Sequence, residues 1–450
     1  MKNGYLKFGL VALVFSLSMG CSSEQSSVEN TSQESSTVET ATQETSLVTS
    51  AVASSDTTTD WPNFLGPRRN GISSETGLLT DWPEDGPPLL WERPLGQGYG
   101  AVVVADGKLI IFHRVDDHEV IECVNPEDGN ELIWTYKYPT RYRDQYGYNN
   151  GPRSSATIEG GKVYTYGAEG VLTCVDFETG NLSWQRKVNE EYNVPQGFFG
   201  AGTAPMIEEN LILLNVGGGP GKGIVAFEKN TGETVWESSD DTASYSTPIV
   251  ATVHGERLAI FHTGDGLSVL EAKTGKEKFK YPFRSTIRES AIAATPVLID
   301  DVVFLSGTYG IGAVALKLDP SGLKEVWKDE YAMQSHWATS IYHEGKLYGM
   351  DGRHEQGSNF RCIDFMTGEV VWTADKGLGR ASFLMADGHL IAIGERGKLA
   401  LIEISEEGYK EKARVRVLRY PVWTPPVLSN GLLYLRNERG MICLDLRTEN

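Results

Sequence analysis

Aromatic, amide and arginine side chains recur in this sequence at equivalent places, shortly before runs of alternating apolar residues. Rings stack while amides and guanidinium groups donate hydrogen bonds, so this mixture suits binding of a peptide, a glycan or a small ligand. The alternative is that these side chains fill the centre of the fold and bond only to one another. The candidate binding residues are Asn150, Arg153, Phe199, Tyr245, Tyr309, His336, Trp337, Arg380 and Trp423.

Motifs for catalysis or metal binding are scarce. There is no Gly-x-Ser-x-Gly nucleophile motif. The run Gly217–Gly223 has the composition of a phosphate loop but not its spacing, which favours a flexible hairpin. The eight histidines show no metal-ligand spacing, and His354-Glu355 is interpreted as part of a solvated loop. We therefore expect no catalytic residue and no metal site.

The cysteines lack the spacing of a zinc or redox motif. Four of them occupy the same slot in four different repeats, and equivalent slots rarely come within the roughly 4.4–6.8 Å between Cα atoms that a disulfide needs. We interpret them as small buried apolar residues. These four are Cys123, Cys174, Cys362 and Cys443.

The elements that must position the candidate residues come from one repeated unit of about 40 to 50 residues. Each unit has alternating strands, a turn that ends in Thr-Gly, and then a tryptophan. Asp176–Gly180 before Trp184 and Asp364–Gly368 before Trp372 are clear copies. Glycine permits the tight turn, and the indole can pack between neighbouring sheets. The pattern predicts an all-β fold, an eight-bladed β-propeller of four-stranded antiparallel blades.

The last repeat contains only three strands before the chain ends. A strand of the missing type, with Trp91, lies at about 88–95, one period before Trp134. We expect this N-terminal strand to complete the last blade and close the ring, which removes open sheet edges. A linear solenoid is the alternative. Truncation before residue 88 is expected to be tolerated, whereas loss of 88–95 is not.

The Asp-x-x-Thr-Gly-x-x-x-Trp ending resembles the repeats of the pyrroloquinoline-quinone-like (PQQ-like) propeller family, and the resemblance covers 61–450. The segment Trp61–Ser73 is similar to the leader of a bacterial subgroup. Non-enzymatic members include BamB-type lipoproteins of outer-membrane protein assembly. The resemblance implies a non-catalytic scaffold that binds a protein or peptide partner. A glycan is a further candidate ligand because aromatic residues are expected around the axis.

The enzymatic branch of the same family uses the quinone and calcium. The resemblance implies that such an enzyme needs an adjacent Cys-Cys pair, which this sequence lacks. We therefore expect neither PQQ nor calcium. A quinone-dependent alcohol or sugar dehydrogenase and a carbohydrate-binding propeller stay as alternative functions.

The N-terminal region has the pattern of an export signal. A short positive segment and an apolar run precede Cys21, which resembles a bacterial lipobox. We interpret 1–20 as a lipoprotein signal peptide, Cys21 as the lipidated residue and 21–60 as a disordered Ser/Thr/Glu-rich tether. The ring is thereby expected on the periplasmic face of the outer membrane, anchored by lipid.

The net charge of −19 argues against nucleic acid as a partner, because phosphate backbones attract basic surfaces. A repeat array closed into one ring also needs no second copy, so a monomeric propeller is expected.

Overall fold

The computed structural model describes residues 59–287, 290–354, 357–375 and 377–448. The predicted signal peptide 1–20, the lipidation candidate Cys21 and almost all of the tether 21–60 lie outside the described residues. The described chain forms eight four-stranded antiparallel sheets. The predicted all-β, eight-bladed propeller is therefore confirmed.

The strands follow one another blade by blade, and only the first strand belongs to a blade formed at the other end of the chain. The first strand is β1 (Leu89–Pro94). Blade 1 contains β2 (Val103–Ala105), β3 (Lys108–Val115), β4 (His118–Val124) and β5 (Leu132–Pro139). Blade 2 contains β6 (Thr157–Glu159), β7 (Lys162–Tyr166), β8 (Val171–Asp176) and β9 (Leu182–Lys187), followed by the short helix α1 (Val188–Glu191). Blade 3 contains β10 (Met206–Glu208), β11 (Leu211–Asn215), β12 (Ile224–Glu228) and β13 (Thr234–Ser238). Blade 4 contains β14 (Ile249–Val253), β15 (Glu256–His262), β16 (Gly266–Glu271) and β17 (Glu277–Pro282).

The second half of the ring repeats the same order of four strands. Blade 5 contains β18 (Val297–Ile299), β19 (Val302–Gly307), β20 (Gly312–Asp319) and β21 (Gly322–Asp329). Blade 6 contains β22 (Ile341–His343), β23 (Lys346–Asp351), β24 (Asn359–Asp364) and β25 (Val370–Ala374). Blade 7 contains β26 (Ala381–Ala386), β27 (His389–Gly394), β28 (Lys398–Glu403) and β29 (Lys410–Arg416). Blade 8 contains β30 (Val427–Ser429), β31 (Leu432–Arg436) and β32 (Gly440–Asp445).

The N-terminal strand closes the ring. β1 pairs antiparallel with β32, so blade 8 receives its outer strand from the beginning of the propeller. One buried apolar cluster joins blades 7, 8 and 1, and it includes Leu399, Leu433 and Ile111. The alternative of a linear solenoid is therefore wrong, because the first and last blades share a core.

The repeated tryptophan packs between blades as the repeat pattern predicts. Trp134 in blade 1 donates from its indole Nε1 to the carbonyl oxygen of Phe177 in blade 2, at 2.9 Å. A Cβ on Gly180 of the same turn would lie 2.5 Å from the Trp134 ring, so only glycine lets the indole lie flat on the turn. Asp176 shapes that turn by accepting from the backbone N–H of Thr179 at 3.0 Å.

The four described cysteines are buried free thiols, which confirms their interpretation as small core residues. Each lies opposite the blade's tryptophan in the sheet register; Cys174, for example, pairs with Trp184. Burial raises the pKa of the Cys174 and Cys362 thiols to about 11, so both are protonated at neutral pH.

The leader, which we define as residues 59–87, crosses one end of the central channel. Its residue Trp61 exchanges two backbone hydrogen bonds with Val104 in blade 1, and further along Ser73 donates to Met385 in blade 7. Trp61 is 2% exposed and belongs to the core cluster that closes the ring. Burial of Trp61 argues against the expectation that truncation before residue 88 is tolerated, because such a truncation removes part of the core.

Candidate functional site

A cavity of about 450 Å³ lies on the propeller axis, within the size range of ligand pockets. It opens on the face where the outer strand of one blade leads into the first strand of the next, which we call the funnel face. Phe64 and Leu65 of the leader line its inner end. The channel is thus a pocket with one mouth.

The structure brings eight of the nine predicted binding residues to this one cavity. Seven of them come from loops that lead into the first strand of a blade, whereas Tyr309 lies in the hairpin between β19 and β20 of blade 5. The eight are Arg153, Phe199, Tyr245, Tyr309, His336, Trp337, Arg380 and Trp423.

Asn150, the ninth predicted residue, does not line the cavity. Its side-chain oxygen accepts from the backbone N–H of Asp144 at 2.9 Å, and its own N–H donates to Gln97. Its carbonyl oxygen accepts from Arg114 at 3.0 Å. Asn150 therefore stabilises the loop that leads into blade 2 and is not placed to contact a ligand in the cavity.

Aromatic rings form a belt around the mouth of the cavity. The ring centroid of Trp423 lies 5.8 Å from that of Trp337 and 5.9 Å from that of Tyr148. The belt continues from Tyr148 to Phe199 at 6.1 Å, and from Phe199 to Tyr245 at 5.7 Å. The Tyr245 hydroxyl also accepts from the Phe199 N–H at 3.0 Å. Part of the belt is thus held by its own members, as the alternative interpretation expects, but a cavity remains inside it.

Two arginines are positioned by buried carboxylates. Arg153 donates to Asp144 at 2.6 Å, and Arg380 donates to Glu395 at 2.5 Å; both carboxylate side chains are 0% exposed. The Arg380 guanidinium also lies 4.6 Å from the ring centroid of Trp337. These ion pairs fix the planes of the guanidinium groups and offset most of their charge.

Arg353 is the third arginine that lines the cavity. Its guanidinium lies 4.6 Å from the ring centroid of Tyr309, a cation–π contact. Within the described residues no carboxylate forms an ion pair with it. The side chain is exposed at the mouth, so its charge is open to a ligand.

His336 is a neutral hydrogen-bonding group in this wall. Burial, and after it the nearby charges of Arg380, Arg353 and His354, lower its pKa to about 3. Its Nε2 lies 3.3 Å from the Tyr309 hydroxyl, whereas its Nδ1 is buried without a hydrogen-bond partner. The Nδ1 atom of His336, which forms no hydrogen bond, therefore lies next to the aromatic belt.

Hydroxyl groups ring the deeper part of the cavity. Each hydroxyl oxygen accepts a backbone N–H from the neighbouring blade, which leaves its own hydrogen free to donate. The three bonds are Ala101 to Ser155 at 2.9 Å, Ala204 to Thr247 at 3.2 Å and Thr295 to Thr339 at 3.0 Å.

Several lining residues were not singled out from the sequence. Tyr99 sits before the first strand of blade 1, between Gly98 and Gly100, and its position in the repeat was the signal that could have found it. Arg353 and His354 come from the hairpin between β23 and β24 of blade 6. Tyr309 occupies the equivalent hairpin of blade 5, but Arg353 and His354 were not predicted to bind a ligand. The interpretation of His354 as simply solvated is therefore incomplete, because it also lines the cavity; Glu355 lies outside the described residues.

The donor set of the cavity does not fit the calcium ion of a quinone site. Calcium takes six to eight oxygen ligands, with carboxylates prominent among them. No aspartate or glutamate lines the cavity in the described ranges, and no cluster of three metal-binding side chains occurs in them.

Among the residues described, no helix has the length and apolarity needed to cross a bilayer.

Fold and site together define an eight-bladed PQQ-like propeller with an aromatic and arginine-lined axial pocket. Residues 117–374, more than half of the chain, match the PQQ-like family model described as outer membrane protein assembly factor BamB, and the chain belongs to that family. A curated relative, outer membrane protein assembly factor BamB of Burkholderia pseudomallei (strain K96243), is 29% identical over 165 residues. That match covers 36% of this chain and 39% of the relative.

Solved structures share the fold at low sequence identity. BamB from Moraxella catarrhalis matches with a TM-score of 0.58 and 14% identity, over 80% of this chain and 98% of that one. Quinohemoprotein alcohol dehydrogenase from Comamonas testosteroni matches with a TM-score of 0.61 and 13% identity, over 87% and 81% of the two chains. Since BamB and an alcohol dehydrogenase match with similar TM-scores and low sequence identity, these likenesses show the fold alone.

Proposed function

We propose that this chain is a non-catalytic scaffold lipoprotein of outer-membrane protein assembly, held at the periplasmic face of the outer membrane by lipid on Cys21. The observation that carries this proposal is the match of residues 117–374 to the BamB family model. The lipobox-like segment before Cys21 supports the anchor, and the closed ring supports a scaffold, because a propeller presents a rigid, wide face to partners.

The funnel face is the surface best suited to a protein partner. Tyrosines on three of its loops are strongly exposed: Tyr148 by 55%, Tyr331 by 71% and Tyr420 by 52%. Tyrosine is enriched in protein interfaces because it combines a large apolar ring with a hydroxyl group. The loop between β5 and β6 lies on this face and supplies the first of the three.

Site-specific photo-crosslinking in living cells tests the partner surface. A photoreactive phenylalanine derivative replaces Tyr148 or Tyr420 in the full-length chain, and crosslinked proteins are identified by mass spectrometry. We expect products that contain a component of the outer-membrane β-barrel insertion machinery. The matched control positions are Asn230 and Lys273, which are exposed in turns on the opposite face. Products of the same identity and yield from both faces, or only proteins unrelated to outer-membrane assembly, would overturn the proposal.

The anchor has a separate test. Metabolic labelling with a radioactive fatty acid is expected to label the wild-type chain and not a Cys21→Ala variant. Cys123→Ala is the control, because that thiol is buried in the core. Labelling of the Cys21→Ala variant would refute lipidation at this residue.

Two alternative functions stay predictions. A quinone-dependent dehydrogenase would reduce an electron-accepting dye in the presence of quinone, calcium and an alcohol or sugar, although none of the described residues that line the cavity offers calcium a carboxylate. A carbohydrate-binding propeller is favoured by the aromatic belt, and titration of the purified chain with a panel of glycans would reveal it.

A further inference from the structure

Five basic side chains line the cavity. They are the arginines Arg153, Arg353 and Arg380 and the histidines His336 and His354. No carboxylate lines the cavity within the described ranges, although acidic residues outnumber basic ones in the chain by 60 to 41. Three guanidinium groups thus face the cavity, although Asp144 and Glu395 pair with two of them from behind.

The three arginines differ in whether a carboxylate already neutralises their charge. Asp144 and Glu395 lie behind Arg153 and Arg380 and pair with them. Arg353 has an aromatic ring for a neighbour and no carboxylate partner in the part of the chain that the structure describes. The cavity mouth thus holds one guanidinium that is free to bind an anion in two-pronged geometry.

The remaining polar groups of the wall add donors. The hydroxyls of Ser155, Thr247 and Thr339 already accept backbone N–H groups, so each has a hydrogen left to donate. Neutral sugars are commonly held by amide and carboxylate side chains, and none lines this cavity within the described ranges. The lining therefore favours a ligand rich in acceptors.

The aromatic walls indicate the shape of that ligand. Trp337 and Trp423 present ring faces beside Arg380, with centroids 5.8 Å apart. Flat faces of this kind accommodate a planar or pyranose ring. A volume of about 450 Å³ is enough for a small molecule or the end of a larger chain.

We propose that the axial cavity binds an organic carboxylate that carries an aromatic or pyranose ring, with the carboxylate at Arg353 and the ring against the aromatic belt. The shared chemistry occurs in aromatic acids, in sugar acids and at the carboxyl terminus of a peptide that ends in an aromatic residue. This ligand site goes beyond the scaffold function and does not depend on it.

Calorimetric titration of the purified chain with three matched pairs tests the proposal. The pairs are indole-3-acetate and indole-3-acetamide, glucuronate and glucose, and N-acetylphenylalanine and its amide. We expect at least one acid to bind about tenfold more tightly than its neutral partner, and to weaken as salt is raised. The acid that binds most tightly shows whether the ligand is an aromatic acid, a sugar acid or the carboxyl terminus of a peptide.

Arg353→Gln is the decisive variant, because its side chain is exposed and removing it leaves no buried carboxylate unpaired. We expect it to weaken binding of the acid about fivefold and to leave binding of the neutral analogue unchanged. Arg439→Gln is the control, since that side chain is 85% exposed and does not line the cavity.

Equal binding of acid and neutral analogue would overturn the proposal. So would the absence of binding by all three acids to a chain with native thermal unfolding, or an unchanged affinity in Arg353→Gln. The scaffold function is tested independently by crosslinking, so failure of one proposal is distinguishable from failure of the other.

Discussion

The indole Nε1 of Trp91 donates a hydrogen bond to the carbonyl oxygen of Pro126 at 2.9 Å. Trp91 lies in the outer strand of blade 8 and Pro126 in a turn of blade 1, so this bond spans the junction where the ring closes. The same bond recurs between Trp134 and Phe177 in the next pair of blades. Ring closure therefore uses the same contact as four other blade junctions.

Trp91→Ala is expected to destabilise the whole ring. Trp91 is 7% exposed and packs against Gly129, so truncation leaves a cavity at the closing junction and costs about 3–5 kcal/mol. The free energy of unfolding, measured by chemical denaturation, checks this. Leu90→Ala is the control, because the neighbouring side chain is 38% exposed and its loss should cost less than about 0.5 kcal/mol. Equal effects of the two substitutions would contradict closure by this strand.

Glycine in the Thr-Gly turns is needed for two reasons: the backbone has a positive φ, and the tryptophan ring leaves no room for a Cβ atom. Gly180 has a φ of +69° and a Cβ there would lie 2.5 Å from Trp134, whereas Gly161 in the same blade has a φ of +71° and an open environment. Gly161→Ala is expected to cost about 1 kcal/mol for the backbone conformation. Gly180→Ala should cost about 1–3 kcal/mol more, because the indole must move. Thermal unfolding of both variants measures the difference, and similar losses would show that the turn alone needs glycine.

The fold could be predicted from the sequence because each blade repeats the same local physics. The Asp176 turn, the glycine after it and Trp184 recur at one period, and Trp91 marks the displaced strand by the same type and spacing. The prediction of the fold is therefore supported by many copies of one sequence pattern. A single loop offers no such repetition.

The site could be predicted only in part. Side chains just before the first strand of a blade must converge on the axis, so the position in the repeat found Trp337 and Trp423. It did not find Arg353, which lies in a hairpin whose length is specific to blade 6, nor the leader residues that line the inner end. Those depend on long-range packing of unique segments, for which the repeat has no pattern. The prediction that Asn150 lines the binding site failed for the same reason, because its side chain forms a hydrogen bond within its own loop.

Acid is expected to destabilise the ring through His262 in blade 4. Neither ring nitrogen of His262 has a hydrogen-bond partner. Burial lowers the pKa of this imidazole from about 6.5 to about 4. Between these values the unfolded chain binds a proton that the folded chain does not, so the free energy of unfolding falls as pH decreases. The loss from this residue reaches about 2 kcal/mol at pH 5.

A His262→Phe variant should lose that part of the pH dependence, because phenylalanine fits beside Phe283 and does not titrate. Chemical denaturation at pH 7 and pH 5 measures the change. His343→Phe serves as the control, since the side chain of His343 reaches solvent. An unchanged difference between the two pH values in His262→Phe would show that another group controls the acid response.

Trp61→Ala is expected to release the leader from the end of the channel. Trp61 is 2% exposed and its ring packs against Gly66 at the start of the turn that carries Arg68 and Arg69. Without the indole, that turn loses its support and becomes accessible to protease. Limited trypsin digestion of the full-length chain, followed by mass spectrometry, should then show new cleavage after Arg68 or Arg69.

The matched control for the leader is Trp82→Ala. Trp82 lies in the same segment but is only half-buried, and its indole donates to the carbonyl oxygen of Leu79, away from the channel. Arg69 should stay protected in this variant, since the backbone bonds between Trp61 and Val104 are untouched. Rapid cleavage after Arg69 in the wild-type chain would show that the leader does not close the channel. Because Phe64 and Leu65 line the inner end of the cavity, release of the leader should also abolish carboxylate binding in the same Trp61→Ala protein.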